Sequence, residues 1–198
     1  MAFNQRERLL AAVASVVAEQ GYGKATVASV TQAASVSRRT FYEFFGSKEE
    51  CFLAAFDALD EYLAGAMAEA IQGEEEWPDQ VAAALATLMH FFSERPELAR
   101  LYLVEAAAVG EGTIERRSRG VKRFVALLEP GRRYRPSDRP PAEGLEEALV
   151  GGVVTLIARR ILAGEGPQLT QFIPSVIEFT LSSYLGSEEA RAVAARHP

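Results

Sequence analysis

Apolar residues recur at helical intervals along almost the whole chain, and no alternating apolar–polar run is long enough to build a sheet. In residues 5–20, Leu9, Val13, Val16 and Val17 share one face, and Gly21 with Gly23 ends the helix. Thr26 then stands as an N-cap before Val27–Ala34, where Val27, Val30 and Ala34 make a narrow apolar stripe. After Ser35-Val36-Ser37, a second short helix over 38–45 starts on the Ser37 cap and stops at Gly46. Ser47-Lys48-Glu49-Glu50 reads as a capping box. It opens a long helix to about residue 71, with Phe52, Phe56, Leu59, Leu63 and Ala66 at helical spacing.

Beyond the acidic break at Glu74-Glu75-Glu76 the segments are longer. Pro78 opens a helix to residue 94, and Pro96 starts one to about 109. Gly110 and Gly112 separate that from a helix reaching 128. Residues 130–141, with four prolines, are predicted as a loop. Two apolar helices follow, over 145–162 and 169–185, and the tail 188–196 adds a short last one. The class is all-α. Residues 151–158 and 172–185 are nearly apolar all round, and Gly151, Gly152, Thr155 and Ala158 leave room for a neighbouring helix. Two such helices from each subunit predict a four-helix homodimer interface; burial inside one subunit is the alternative.

Charge sharpens the division. Residues 1–48 hold Arg6, Arg8, Lys24, Arg38, Arg39 and Lys48 against Glu7, Glu19 and Glu43, whereas the whole chain carries −6. A basic head on an acidic body suits a protein that meets phosphate at one end. No apolar run approaches a membrane span, and the first residues lack the apolar core of a secretion signal. The lone Cys51 excludes an internal disulfide and fits a reducing cytosol, so the expected location is cytoplasmic.

Residues 26–45 carry the chemistry. Two short helices joined by a three-residue turn, the second capped and polar, make a helix-turn-helix. Its second helix enters the major groove, so Ser37, Arg38, Arg39 and Thr40 near its start reach base edges. An arginine fork on guanine discriminates by about 1–3 kcal/mol. The helix N-termini at Thr26 and Ser47 offer N–H groups to phosphate, Lys48 adds charge there, and Tyr42 points its hydroxyl to the DNA backbone. Phe41 and Phe45 turn inward.

The run from Thr26 to Glu50, TVASVTQAASVSRRTFYEFFGSKEE, resembles the DNA-binding signature of the TetR family: a threonine, an apolar helix, a small-Val-Ser turn, Thr-Phe-Tyr, an aromatic pair and Ser-Lys-Glu. The likeness extends over about residues 5–60. It implies a bacterial regulator of nine or so helices, with a three-helix DNA-binding domain, a two-fold dimer and a ligand pocket in the larger carboxy-terminal part. By position it makes Thr26, Ser37, Thr40, Tyr42 and Lys48 phosphate and groove contacts. Arg39 stands where many members have glycine, and Phe44 where many have histidine, which bears on the operator sequence. The domain division expected is 1–48 for DNA and 49–198 for sensing and dimerisation.

For the sensing pocket, the candidates are polar or aromatic residues on otherwise apolar faces: Tyr62, Met89, His90, Tyr102, Glu105, Phe124 and Thr155. Tyr102 and Glu105, three apart, share a helical face that either receives a polar group or is solvated. The expected function is a repressor released from a pseudo-palindromic operator by a small-molecule effector. The alternatives are an activator or ligand-independent regulator of the same fold, or a helical adaptor that has lost DNA binding. An enzyme is disfavoured: the sequence has no Gly-rich phosphate loop, no His-Glu-x-x-His and no cysteine cluster. No cofactor or metal is expected.

Overall fold

The computed structural model describes residues 4–135 and 142–197. Its helices are α1 (Gln5–Gln20), α2 (Val27–Ala34), α3 (Arg38–Phe44), α4 (Lys48–Gln72), α5 (Trp77–Glu94), α6 (Pro96–Ala99), α7 (Ala106–Val109), α8 (Glu111–Leu128), α9 (Leu145–Leu162), α10 (Ile173–Leu185) and α11 (Ser187–Arg196). Among the described residues there is no strand, and no helix is long and apolar enough to cross a membrane. The all-α class is as the periodicity predicts. Packing divides the chain into two compact units, Met1–Glu61 with Glu97–Arg117, and Tyr62–Pro96 with Ser118–Pro198.

In the first unit α1, α2 and α3 close around Leu9, Val13, Val17, Val30, Phe41 and Phe45, while α4 buries Cys51, Phe52 and Phe56. Each buried phenylalanine contributes roughly 1.5–3 kcal/mol. α1 also has a capping box. The Glu7 N–H donates to Asn4 Oδ1 at 2.9 Å, and the Asn4 N–H to Glu7 Oε2 at 3.2 Å.

The stretch 96–109 departs from the single helix predicted for it. Between α6 and α7 the backbone forms a π-helical turn, Arg100–Glu105. Its i→i+5 bonds shift the side-chain register relative to an α-helix. In this register the Tyr102 hydroxyl donates to Asp60 Oδ1 at 2.6 Å, its ring stacks on Phe56 at 4.6 Å, and Glu105 reaches the Tyr22 backbone N–H. These long-range partners are what the local apolar pattern could not show.

The second unit packs Trp77, Leu85, Met89, Phe92, Ile157, Leu169, Ile177 and Leu181. The helix predicted over 169–185 is shorter, because Gly166–Phe172 is 3-10 and α10 begins at Ile173 with Pro174 in its first turn. Part of the predicted loop is ordered as a 3-10 turn, Glu129–Tyr134. Arg132 clasps the buried Glu146 through two bonds of 2.8 and 2.6 Å, and Trp77 stacks on Tyr134. Residues 136–141 of that loop lie outside the described residues. The predicted tail helix is α11, which buries Ala190, Val193 and Ala194 and pairs Arg196 and His197 with Asp79. Val81, Leu85, Leu88, Phe124, Leu128, Val150, Val153, Val154 and Thr180 line an apolar cavity of ≈ 30 Å³.

Candidate nucleic-acid interface

The helix-turn-helix is built from caps. Thr26 Oγ1 accepts the Ser29 N–H at 3.1 Å while Ser29 Oγ accepts the Thr26 N–H at 2.9 Å, which starts α2. Ser37 Oγ accepts the Thr40 N–H at 3.0 Å and starts α3. Each such cap stabilises its helix by about 1 kcal/mol. Between them Ser35 adopts φ 52°, a left-handed conformation that turns the chain, and the Arg8 guanidinium donates to the Ser35 carbonyl at 3.1 Å. Ser47 Oγ accepts the Glu50 N–H, as the predicted capping box requires; Glu50 reaches back one residue further, to the Gly46 N–H at 2.7 Å.

This framework sorts the side chains of α3. Phe41 is fully buried and Phe45 nearly so, which fixes the helix by one face. Ser37, Arg38, Arg39 and Tyr42 are exposed, and Thr40 is half-buried. The Arg39 side chain is 91% exposed, pairing only along its own helix with Glu43 at 3.3 Å. Phe44 is also exposed, beside Phe45. A short helix held by its apolar face, with its capped N-terminus surrounded by cations and hydroxyls, has the shape and charge to enter a major groove.

Lys48 is placed differently from its neighbours. Its ammonium donates to the carbonyls of Tyr22 at 2.7 Å and Ala25 at 2.9 Å and lies 4.0 Å from the Tyr22 ring centroid. Two of its three hydrogens are thereby engaged at the turn between α1 and α2. On the other side of that turn, Glu105 Oε2 accepts the Tyr22 N–H at 2.9 Å and Oε1 accepts Arg100 Nε at 3.0 Å. Glu105, a pocket candidate from sequence, here positions the turn together with Arg100, which has no local signal; residue separations of 26 and 83 tie Lys48 and Glu105 to one residue.

The seven residues proposed for a sensing pocket are divided between the two units. Tyr102 and Glu105 belong to the first unit, with the helix-turn-helix. In the second unit Phe124 lines the apolar cavity, and Tyr62, Met89, His90 and Thr155 are not among its lining residues. Met89 is buried, His90 exposed, Tyr62 exposed against Phe91, and Thr155 exposed with its hydroxyl on the Gly151 carbonyl. Thr180 lines the cavity too, and the valines and leucines around Phe124 carry no sequence signal of a cavity, since aliphatic residues at helical spacing read as ordinary core.

Comparison with known proteins agrees with this geometry. Residues 9–55 match the sequence profile of the family described as bacterial regulatory proteins, tetR family. The fatty acid degradation regulator FadR from Bacillus halodurans is 16% identical and superposes with a TM-score of 0.80, over 91% of this chain and 96% of that one. The regulator FadR from Bacillus subtilis, solved in complex with stearoyl-CoA, is 18% identical with a TM-score of 0.76, over 89% and 98% of the two chains. A transcriptional regulator from Rhodococcus sp. Rha1 is 25% identical with a TM-score of 0.70, over 91% and 97%. No curated protein matches the chain. The amino-terminal segment thus matches the tetR family of bacterial regulatory proteins, and the chain shares its fold with these solved regulators.

Proposed function

We propose that the chain is a homodimeric repressor that binds operator DNA through α3 and is released by an effector with a long aliphatic part. In this reading residues 1–48 are the DNA-binding portion, the remainder senses and pairs, and the protein works in the cytoplasm, where its operator is. The observation that carries it is the sorting of α3. Phe41 is buried, while Arg38, Arg39 and Tyr42 stand exposed around a capped N-terminus. In a dimer, two such helices about 34–36 Å apart would dock successive major grooves.

Pairing is supported by the exposed face of α9 and α10. Gly151, Gly152 and Thr155 are exposed, with Leu162 57% and Phe179 51% exposed beside them. Large apolar side chains on a stripe of small residues favour helix-on-helix packing with a second copy.

The effector class rests on the cavity and on one neighbour. Stearoyl-CoA is bound by the Bacillus subtilis FadR, and the cavity here is walled by aliphatic side chains and Phe124. At ≈ 30 Å³ it holds about the volume of one water molecule, so an acyl chain must part the helices that line it. Each buried methylene supplies roughly 0.8 kcal/mol, so ten carbons supply about 8 kcal/mol toward that opening. A ligand that binds only the opened form shifts the population toward it, and release from DNA follows when that form presents α3 wrongly.

Gel-shift titration on the DNA upstream of the gene tests the whole reading. Binding should fall steeply with salt, and stearoyl-CoA should release the DNA where CoA alone does not. Binding insensitive to salt would overturn the DNA half. Release by CoA alone, or by neither compound, would overturn the acyl effector.

A further inference from the structure

Glu43 is the one acidic residue in α3, a helix whose sequence is otherwise basic, hydroxylic and aromatic. An acid on a face presented to phosphate is repelled by it, so its position invites a physical reason. Glu43 lies one turn after Arg39 and is joined to it by a single bond, Arg39 Nε to Glu43 Oε1 at 3.3 Å. That bond occupies Nε and leaves the terminal Nη1 and Nη2. Both side chains are largely in solvent, 91% for Arg39 and 55% for Glu43. Arg38 has no such arrangement, because the residue four places on is Tyr42.

We propose that Glu43 is a positioning residue for base reading, holding the Arg39 guanidinium by Nε so that its terminal fork meets the O6 and N7 of a guanine. The proposal rests on α3 being the recognition helix. An unrestrained arginine near DNA satisfies itself on any phosphate oxygen, equally for every sequence. Guanine recognition instead needs the planar fork aligned with two acceptors in the groove. A carboxylate one helical turn away restrains the stem and leaves the fork. It also penalises the alternative, because swinging Arg39 to a phosphate leaves Glu43 alone in the field of the backbone. Arg39 is thereby a reader of sequence, and Arg38, unrestrained, is the better phosphate anchor.

Selection from a randomised duplex library with the full chain tests this, alongside Arg39→Ala, Glu43→Ala, Glu43→Gln and the double variant Arg39→Ala/Glu43→Ala. The wild type should prefer guanine at one position of each half-site by about tenfold. Arg39→Ala should abolish that preference and Glu43→Ala should cut it below about threefold, with the double variant no worse than Arg39→Ala. Glu43→Gln keeps an acceptor for Nε and should retain part of it. On random duplex, Glu43→Ala should bind more tightly, with a log–log salt slope steeper by about 0.9, the value of one added phosphate contact. Both positions are exposed, so circular dichroism should show unaltered helix content. An undiminished guanine preference in Glu43→Ala, or in Arg39→Ala, overturns the inference while leaving the DNA-binding reading intact. A folded wild type that selects no sequence at all overturns that reading itself.

Discussion

Replacing Glu105 by alanine should loosen the helix-turn-helix from its supporting turn, although the residue lies outside residues 1–48. Glu105 is only 8% exposed, and its two oxygens accept from the Tyr22 N–H and from Arg100 Nε. Truncation orphans a part-buried backbone donor, which costs about 1.5–3 kcal/mol for a bond to a charged acceptor. The Arg100 guanidinium is a third exposed and rehydrates, so its loss adds only about 0.5 kcal/mol. A total of about 2–3.5 kcal/mol lowers Tm by roughly 4–14 °C for a chain of this size. Because Lys48 still holds the Tyr22 carbonyl, the turn loses one of its two anchors but not both. DNA affinity measured at 20 °C, well below the transition, should fall about tenfold, the equivalent of 1.4 kcal/mol. Glu105→Gln retains one acceptor and should show about half the loss in Tm. Calorimetry and gel shift on the same preparations provide both readings. An alanine variant with a Tm within 1 °C of wild type and unchanged DNA affinity would refute the assignment of Glu105 as an anchor.

Burial, opposed weakly by Arg6, pushes the Cys51 thiol up to about 12, so a thiol reagent at pH 8 should leave the native chain unlabelled and label it once urea unfolds it. Rapid labelling of the native protein would contradict the packing around α4. A Cβ at Gly131 would fall inside the Trp77 indole and against Tyr184, and Gly131→Ala should therefore cost about 3 kcal/mol by urea denaturation; a loss below 0.5 kcal/mol would show that this turn yields freely. The hydrogen bond from Arg132 holds the Glu146 carboxyl below its ordinary 4.5, against the opposing effect of burial. Its contribution to stability is complete above pH 4.5 and is lost as pH falls through the depressed folded value, so the urea midpoint should drop over that window and Glu146→Gln should flatten the acid limb. Ser35 sits at φ 52°, where glycine is unstrained, and Ser35→Gly should raise the urea midpoint by an amount worth up to about 1 kcal/mol; a lowered midpoint would mean the Ser35 side chain contributes more than its backbone costs.

The parts of this molecule that were legible in its sequence are those whose physics is local. A hydroxyl at Thr26, Ser37 or Ser47 caps the N–H three residues on, and that relation is visible in the order of residues alone. The same rule applied to Asn4 and Glu7 would have found the cap of α1. The exposure of Arg38 and Arg39 followed from the burial of Phe41 and Phe45 on one helical period. What escaped was non-local. Leu101 and Val104 fit an α-helical period well, and the π-helical turn becomes visible only with Asp60 and Tyr22 in place as partners. The place of Lys48 at a helix start suggests a phosphate contact; its bonds to the Ala25 and Tyr22 carbonyls, 23 and 26 residues away, have no local signal. The cavity was missed for the opposite reason. Polar or aromatic residues on apolar faces are the visible signal, and of the lining only Phe124 and Thr180 carry it; the rest of the wall is aliphatic.

A net charge of −6 argues against DNA binding only if every carboxylate faces the DNA, and in the first unit several are engaged elsewhere. Glu7 and Glu50 each accept a backbone N–H at a helix start, where the peptide dipoles favour an anion. Glu105 is taken up by Tyr22 and Arg100, Asp57 by Arg116, and Asp60 accepts from Tyr102. Asp57 and Glu105 are matched by guanidinium groups about 3 Å away, so the fields of those pairs fall off quickly. The neutral donors to Glu7, Glu50 and Asp60 hold their carboxylates in place without cancelling their charge. Arg38 carries no compensating partner on its helix, and Arg39 is compensated only by Glu43, on the same exposed face. The charges carried by α3 itself are those two cations and that one acid, with Arg8 at the Ser35 carbonyl beside its start. A substitution at Glu43 changes the charge of that face directly, and this is why the salt dependence of Glu43→Ala, and not the overall charge, measures how α3 meets DNA.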